Sequence, residues 1–133
     1  MSQESIDVVK SFYDGMSRGD VGAVLGAMDP QVEWNEAEHF IYADNSPYIG
    51  PDAVLNGVFM RLVTLWEGFK AVPEQFIGMG EMVAVPGRYH GTYRETGKAV
   101  NAQVVHLFTV RGGKIVRFQQ YTDTAQFRDA VNA

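Results

Sequence analysis

The sequence contains no cysteine, which excludes disulfides, thiolate nucleophiles and cysteine-ligated zinc or iron–sulfur clusters. It also lacks a basic stripe: the formal net charge is -5 at pH 7, whereas nucleic-acid binding needs clustered Lys and Arg. No apolar run reaches the length of a membrane span. The first ten residues lack a basic stretch followed by an apolar run, so no signal peptide is expected. These absences predict a soluble cytoplasmic protein that binds neither nucleic acid nor membrane.

Common cofactor and metal motifs are missing as well. The three histidines, His39, His90 and His106, lack the short helical spacing of zinc motifs. Gly78-Met79-Gly80 joins two predicted strands and opens no helix, so it is not a phosphate-binding loop. No serine lies in a nucleophile-elbow pattern. We therefore expect neither a metal nor a cofactor.

Helical periodicity is present in the first part of the chain. Apolar residues recur at three- and four-residue steps, which places them on one face; they are Ile6, Val9, Tyr13 and Met16. Ser2 is the predicted N-cap of this helix, and Gly19 its predicted end. Asp20 is predicted to cap a short second helix that Asp29-Pro30 stops.

The middle of the chain predicts a short strand over Val32–Glu36, a loop over Ala37–Tyr48 and a third helix that starts at Pro51. A wide apolar stripe extends this helix prediction to Phe69. Its members are Val54, Leu55, Val58, Phe59, Leu62, Leu65, Trp66 and Phe69. A stripe of this width indicates burial against a sheet on one side and against a cavity or a partner on the other.

The remainder of the chain changes to strand patterns. Four apolar runs separated by turn signals predict strands over Ala71–Met79, Met82–Tyr93, Val100–Val110 and Ile115–Tyr121, before a short helix over Thr124–Val131. Gly112-Gly113 is a two-residue hairpin signal. The order predicts a single α+β domain over residues 1–133, in which a curved antiparallel sheet packs on N-terminal helices and encloses an apolar pocket. The outer face of such a sheet is expected to form a homodimer.

His106 and Asp123 are the candidate catalytic residues. They lie on neighbouring strands of the predicted hairpin, where His106 pairs with Gln119 or Gln120. A histidine and a carboxylate that face an apolar cavity can act as proton donor and acceptor. Two structural alternatives remain open: Asp123 matches a helix-capping box, and His106 is a hydrogen-bonded core residue.

Further candidates would contact a ligand. Trp34 and Glu36 share one strand face and suit a flat or cationic molecule, although Glu36 is alternatively solvated at the strand end. Tyr42 lies on the following loop, where binding residues concentrate. Arg88 would hold a carboxylate or enolate if it points inward, and Tyr121 or Arg88 would orient the substrate. The other two candidates, Phe59 and Trp66, are large apolar groups of the third helix.

Three segments carry a resemblance to a known superfamily: residues 11–34, the helix start IGPDAV, and residues 106–123. They resemble the nuclear transport factor 2-like fold, and within it the SnoaL-like, ketosteroid isomerase-related proteins. The resemblance implies a cone-shaped α+β barrel (cystatin-like), commonly dimeric, and enzymes such as polyketide cyclases that use acid–base groups without a cofactor. Asp123 and His106 match the aspartate and histidine of the SnoaL-like cyclases.

Three functions follow as expectations. The first is a cofactor-free isomerase, cyclase, lyase or hydrolase that acts on a small apolar or aromatic carbonyl compound. In it, Asp123 is the base and His106 the acid or the donor that stabilises an oxyanion. The second is a non-catalytic protein that binds a small ligand. The third is a dimeric scaffold whose pocket is filled by large side chains.

Overall fold

Helices and two strands make up the first half of the chain, and five consecutive strands and a final helix make up the second half. The computed structural model describes residues 2–133. Its elements are α1 (Ser2–Ser17), α2 (Val21–Gly26), β1 (Met28–Asn35), β2 (Tyr48–Ile49), α3 (Pro51–Val54), a π-helical turn (Leu55–Phe59), α4 (Met60–Leu65), β3 (Trp66–Pro73), β4 (Ile77–Met79), β5 (Met82–Tyr93), β6 (Ala99–Arg111), β7 (Lys114–Thr122) and α5 (Thr124–Val131).

The seven strands form one sheet in the order β2-β1-β7-β6-β5-β3, and β4 also pairs with β5. All pairs are antiparallel except β1 with β7, which are parallel and align Trp34 with Phe118. The helices cover the concave face, and the core lies between the two layers. The predicted α+β class, with N-terminal helices on a curved sheet, is confirmed. No helix within residues 2–133 is long and apolar enough to cross a membrane.

The β6–β7 hairpin has the predicted turn and register. Gly112 and Gly113 have φ values of +60° and +76°, the left-handed conformation that a two-residue hairpin turn requires at both central positions. A register shift between Thr109 and Val110 brings His106 opposite Gln120 rather than Gln119, so the second of the two predicted partners is the one observed. The even-numbered residues of β6 from Val100 to Val110 are buried, so they face the core.

Two helix boundaries differ from the prediction. Ser2 is not an N-cap but lies inside α1, and its hydroxyl accepts a hydrogen bond from the backbone N–H of Gly80 at 2.8 Å. Asp20 does cap α2, because its carboxylate accepts a bond from the N–H of Ala23 at 3.0 Å. Asp29-Pro30 does not stop that helix, which ends at Gly26; the dipeptide lies in β1.

The third helix is shorter than predicted. It ends at Leu65, and Trp66 begins β3 with extended backbone angles. The three-residue spacing of Trp66 and Phe69 fits the apolar stripe of a helix, which is why the sequence pattern predicts helix there. Pairing with β5, from Trp66 opposite Tyr93 onward, instead gives this segment its backbone hydrogen bonds. The predicted strand Ala71–Met79 is likewise two strands, since β3 ends at Pro73 and β4 starts at Ile77.

Candidate functional site

A small cavity lies between the concave face of the sheet and the helices. Its volume is about 30 Å³, which is the space of roughly one water molecule. Most of its walls are apolar, and four polar side chains reach it. The lining residues are Phe12, Met16, Trp34, Glu36, Val58, Phe59, Leu62, Phe69, Ala71, Tyr89, His106, Phe118 and Gln120.

Glu36 is the most unusual of the polar groups. The residue is only 6% exposed, and neither carboxyl oxygen has a hydrogen-bond partner; the indole nitrogen of Trp34 is also unpaired. Burial disfavours the charged form and raises the pKa of Glu36 from its ordinary 4.5 to about 8, while the nearby Trp34 indole offsets part of this rise. At neutral pH the carboxyl group is therefore mostly protonated.

The loop after β1 explains why Glu36 is not solvated at the strand end. Its backbone N–H donates to the hydroxyl of Ser46 at 3.0 Å, so the loop folds back over the residue. Phe40 in this loop is buried and packs on Phe127 of α5, with ring centroids 4.9 Å apart. The loop after β1 and α5 thus pack on each other at this end of the sheet.

His106 is held between two tyrosines. The hydroxyl of Tyr13 lies 2.6 Å from its Nδ1, and the hydroxyl of Tyr89 lies 2.6 Å from its Nε2. Burial lowers the pKa of His106 from 6.5 to about 3, so the ring is neutral and has one donor nitrogen and one acceptor nitrogen. One tyrosine therefore donates to the imidazole, and the other accepts from it.

Gln120 donates one hydrogen bond to Tyr89, and the tautomer of His106 sets the direction of the other. The backbone N–H of Ala37 donates to Gln120 Oε1 at 3.0 Å, so Gln120 Nε2 is the atom that donates to the Tyr89 hydroxyl at 2.8 Å. In the tautomer that has its proton on Nε2, His106 also donates to this hydroxyl. The Tyr89 oxygen then accepts two bonds, and its own hydrogen is available to a molecule in the cavity. Burial and the nearby Glu36 raise the pKa of Tyr89 far above its usual range.

A larger groove lies beside the cavity, between α1 and β3. Its volume is about 510 Å³, which is within the range of small-molecule sites. Three of its residues, Met16, Phe69 and Ala71, also line the cavity. The groove is thus separated from Glu36 by a single layer of side chains.

Four of the residues predicted from the sequence come together at the cavity: Trp34, Glu36, Phe59 and His106. The Trp34 ring stacks on Phe118 with centroids 3.7 Å apart, and this contact fixes the wall beside the carboxyl group.

The other candidate catalytic residue lies elsewhere. Asp123 caps α5, because its carboxylate accepts bonds from the N–H of Ala125 at 3.1 Å and from Gln126 Nε2 at 3.0 Å. The structural alternative, a helix cap, is therefore observed without the reciprocal bond of a capping box, since the backbone N–H of Asp123 donates to Gln103. Asp123 does not line the cavity.

Four predicted ligand-binding residues also lie away from the cavity. Arg88 and Tyr121 line a cleft on the outer face of the sheet, where Arg88 donates to Asn101 and Tyr121 is 55% exposed. Their strand parity is the reason, since the neighbouring residues Tyr89 and Gln120 occupy the inner face. Tyr42 and Trp66 are buried in the core, joined by a hydrogen bond of 2.9 Å from the Trp66 indole to the Tyr42 hydroxyl.

Tyr13, Tyr89 and Gln120 are site residues that the sequence did not single out. Tyr89 alternates with Arg88 and His90, so parity placed it on the opposite face, but nothing in the sequence indicated which face is concave. Gln120 was identified only as the partner of His106 in the hairpin register. Within residues 2–133, no group of three or more His, Asp or Glu side chains is placed to hold a metal ion.

Known proteins share both the sequence pattern and the structure. The sequence profile of the SnoaL-like domain matches residues 9–118. An NTF2-like protein of Burkholderia thailandensis is 34% identical over 97% of this chain and 98% of its own, with a TM-score of 0.92. TerC, co-crystallised with polyporic acid, is 26% identical over 98% of this chain and 99% of its own, with a TM-score of 0.85.

More distant structures share the fold alone. One is described as a SnoaL-like polyketide cyclase from Jannaschia sp.; it is 19% identical over 99% of this chain and 94% of its own, with a TM-score of 0.82. None of the curated proteins matches this chain in sequence. The profile match spans most of the chain, and the cone of helices and sheet agrees with it. The chain therefore belongs to the SnoaL-like domain family and has the NTF2-like fold.

Proposed function

We propose that this protein binds a small apolar or aromatic carbonyl compound and transfers a proton to or from it without a cofactor, with Glu36 as the acid–base group. The observation that carries the proposal is the buried Glu36 carboxyl group, which faces a cavity while both its oxygens lack partners. Leaving a buried polar group unpaired is costly. Acid–base residues with pKa values shifted towards neutrality concentrate at active sites.

The chemistry is proton abstraction next to the carbonyl. The ionised Glu36 takes the proton from the carbon, and the electron pair of the C–H bond moves to form an enolate. The hydroxyl of Tyr89 donates a hydrogen bond to the enolate oxygen, as an oxyanion-stabilising donor does. Glu36 then returns the proton to the same or a neighbouring carbon, which leaves the enzyme unchanged.

His106 has a supporting role in this scheme. Its pKa of about 3 excludes a charged imidazolium acid near neutral pH, so it holds Tyr89 and does not protonate the substrate. Asp123 is given no role in the chemistry, because its carboxylate is used to cap α5. Glu36 therefore takes the role that the resemblance implied for Asp123.

The test is deuterium exchange into a ketone probe. β-Tetralone has acidic hydrogens next to its carbonyl, and NMR follows their replacement in heavy water. We expect exchange above the buffer rate, and a fall of about 10²-fold or more in Glu36→Gln. Glu33→Gln is the matched control, since Glu33 lies on the same strand but is solvent-exposed and paired with Arg117 at 3.1 Å. Equal exchange by wild type and Glu36→Gln would contradict the proposal.

A second function, non-catalytic binding of a small ligand, is favoured by the contrast in volume between the groove, about 510 Å³, and the cavity at Glu36, about 30 Å³, since a ligand that stays in the groove is bound without reacting. The co-crystallisation of TerC with polyporic acid supports a small organic ligand under either function. Calorimetry with the same ketone distinguishes the two, because a binder takes up the probe without exchange. A cavity that takes up no probe at all would favour the scaffold, whose pocket is filled by side chains.

The outer sheet face supports a homodimer as part of the same proposal. Val72, Met82 and Tyr121 are 39%, 42% and 55% exposed there, and burial of such apolar groups favours association. Analytical ultracentrifugation of wild type and Tyr121→Asp is the test. We expect a dimer that the aspartate weakens, and a monomeric wild type would contradict the interface.

A further inference from the structure

The groove between α1 and β3 has the volume for a ligand that the inner cavity lacks. It measures about 510 Å³, against about 30 Å³ for the cavity. Met16 and Phe69 separate the two spaces, and the side chain of methionine is flexible enough to move. Because Met16 lines both spaces, its displacement would enlarge the opening between the groove and the cavity that Glu36 lines.

The floor of this groove is aromatic. Tyr13, Phe69 and Phe76 line it, and the rings of Tyr13 and Phe76 form an edge-to-face pair with centroids 5.8 Å apart. Aromatic walls favour flat ring systems, which stack or meet them edge to face. The hydroxyl of Tyr13 also belongs to the His106 network, so the groove contacts the polar part of the site.

The rim of the groove is positively charged. Lys10 on α1 and Lys70 on β3 line it, and neither forms an ion pair within residues 2–133. Asp14 is the acidic residue of the lining, but it is already paired with Arg18 at 2.9 Å. Lys10 Nζ lies over the ring of Phe76, 5.4 Å from its centroid, so its contact is with the aromatic floor and not with a carboxylate. A chain of net charge -5 thus presents two cations without an ion-pair partner beside this floor, an arrangement that attracts anions.

We propose that the groove binds an aromatic carboxylate, with the rings on the aromatic floor and the carboxylate between Lys10 and Lys70. The opposite end of the molecule then points past Met16 towards Glu36. This inference rests on the proposed function, because it names the substrate class of the same site.

The test compares two probes of the same shape, para-phenylbenzoate and its neutral amide, para-phenylbenzamide, by calorimetry at low salt. We expect the carboxylate to bind about 5- to 10-fold more tightly to wild type, since exposed ion pairs contribute modestly. The preference should shrink as salt is raised, because screening weakens exposed charges. The double variant Lys10→Met, Lys70→Met should reduce the preference for the carboxylate to about twofold or less. Its affinity for the neutral amide should be unchanged.

The matched control removes the other two lysines of the chain. Lys98 and Lys114 donate to the carbonyls of Asn132 and Gly26, outside the groove, and their double replacement by Met changes the net charge equally. The inference is wrong if both double variants lose the preference for the carboxylate equally, or if the Lys10→Met, Lys70→Met variant keeps it. It is also wrong if wild type binds neither probe. Glu36→Gln should keep the preference while losing ketone exchange, so the groove and the catalytic proposal fail separately.

Discussion

Replacing Glu36 with Gln should change how stability depends on pH. The folded protein holds the carboxyl proton up to about pH 8, whereas the unfolded chain releases it near 4.5. Between these values the folded state binds more protons, so wild-type stability falls as pH rises by about 1.4 kcal/mol per pH unit. The stability that the protonated Glu36 carboxyl group provides relative to its ionised form is fully retained below pH 4.5, the pKa in the unfolded chain. It is lost progressively as the pH rises to about 8, the pKa in the folded protein.

The magnitude is measured as a difference between the two proteins. From about pH 5.5 to about pH 7.5, wild type should lose about 2–3 kcal/mol of unfolding free energy relative to Glu36→Gln. His106 titrates in the opposite direction, since its pKa is lowered, but it is present in both proteins and cancels. The unpaired amide of Gln has its own burial cost, which does not depend on pH.

The assay is urea unfolding of both proteins at several pH values, with linear extrapolation to water. Glu33→Gln is the control, because its exposed carboxylate pairs with Arg117 and the pKa of Glu33 is lowered. If the unfolding free energies of wild type and Glu36→Gln changed with pH in the same way, Glu36 would ionise normally in the folded protein, and the prediction would be wrong.

Other predictions concern the network, the cap and the helix packing. His106 should stay neutral from about pH 5 to pH 8 in nitrogen-15 NMR; a midpoint near 6.5 would contradict its burial between tyrosines. Asp123→Ala should cost about 1 kcal/mol in urea unfolding and keep ketone exchange, whereas lost exchange in a folded variant would give Asp123 a role in the chemistry. Gly57→Ala should lower the unfolding free energy by about 1–3 kcal/mol, because the added Cβ would lie 2.2 Å from the Tyr48 ring. Gly26→Ala is the control and should cause no such loss, because its Cβ would meet nothing within 4 Å.

The hairpin shows what local sequence determines. Two glycines set the turn, and the sequence predicted Gln119 or Gln120 as the partner of His106; a register shift between Thr109 and Val110 selects Gln120. Capping by Asp20 was also predicted, since the interaction spans only three residues. For this turn and this cap the local residue pattern was sufficient, whereas it misplaced the start of α1 and the end of α2.

Errors arose where distant contacts decide. Trp66 and Phe69 have a spacing that fits a helix or a strand, and pairing with β5 selects the strand. The parallel pairing of β1 with β7 joins segments about eighty residues apart, and no turn indicates it.

The candidate site was predicted in part for the same reason. Sequence parity placed Trp34 and Glu36 together, but the burial of Glu36 comes with a loop that folds back on it through Ser46, ten residues further along the chain. Asp123 had two possible roles, and the structure shows the cap. For Arg88 the sequence left both faces of the sheet open, and the structure puts it on the outer face.

The most direct test of Glu36 as a buried acid–base group is a carbon-13 NMR titration of its carboxyl carbon in the folded protein. We expect a midpoint near 8, far above that of an ordinary glutamate, with the signal of a protonated acid at neutral pH. A midpoint near 4.5 would contradict this role, because it would show a solvated or paired carboxylate in place of a buried acid–base group.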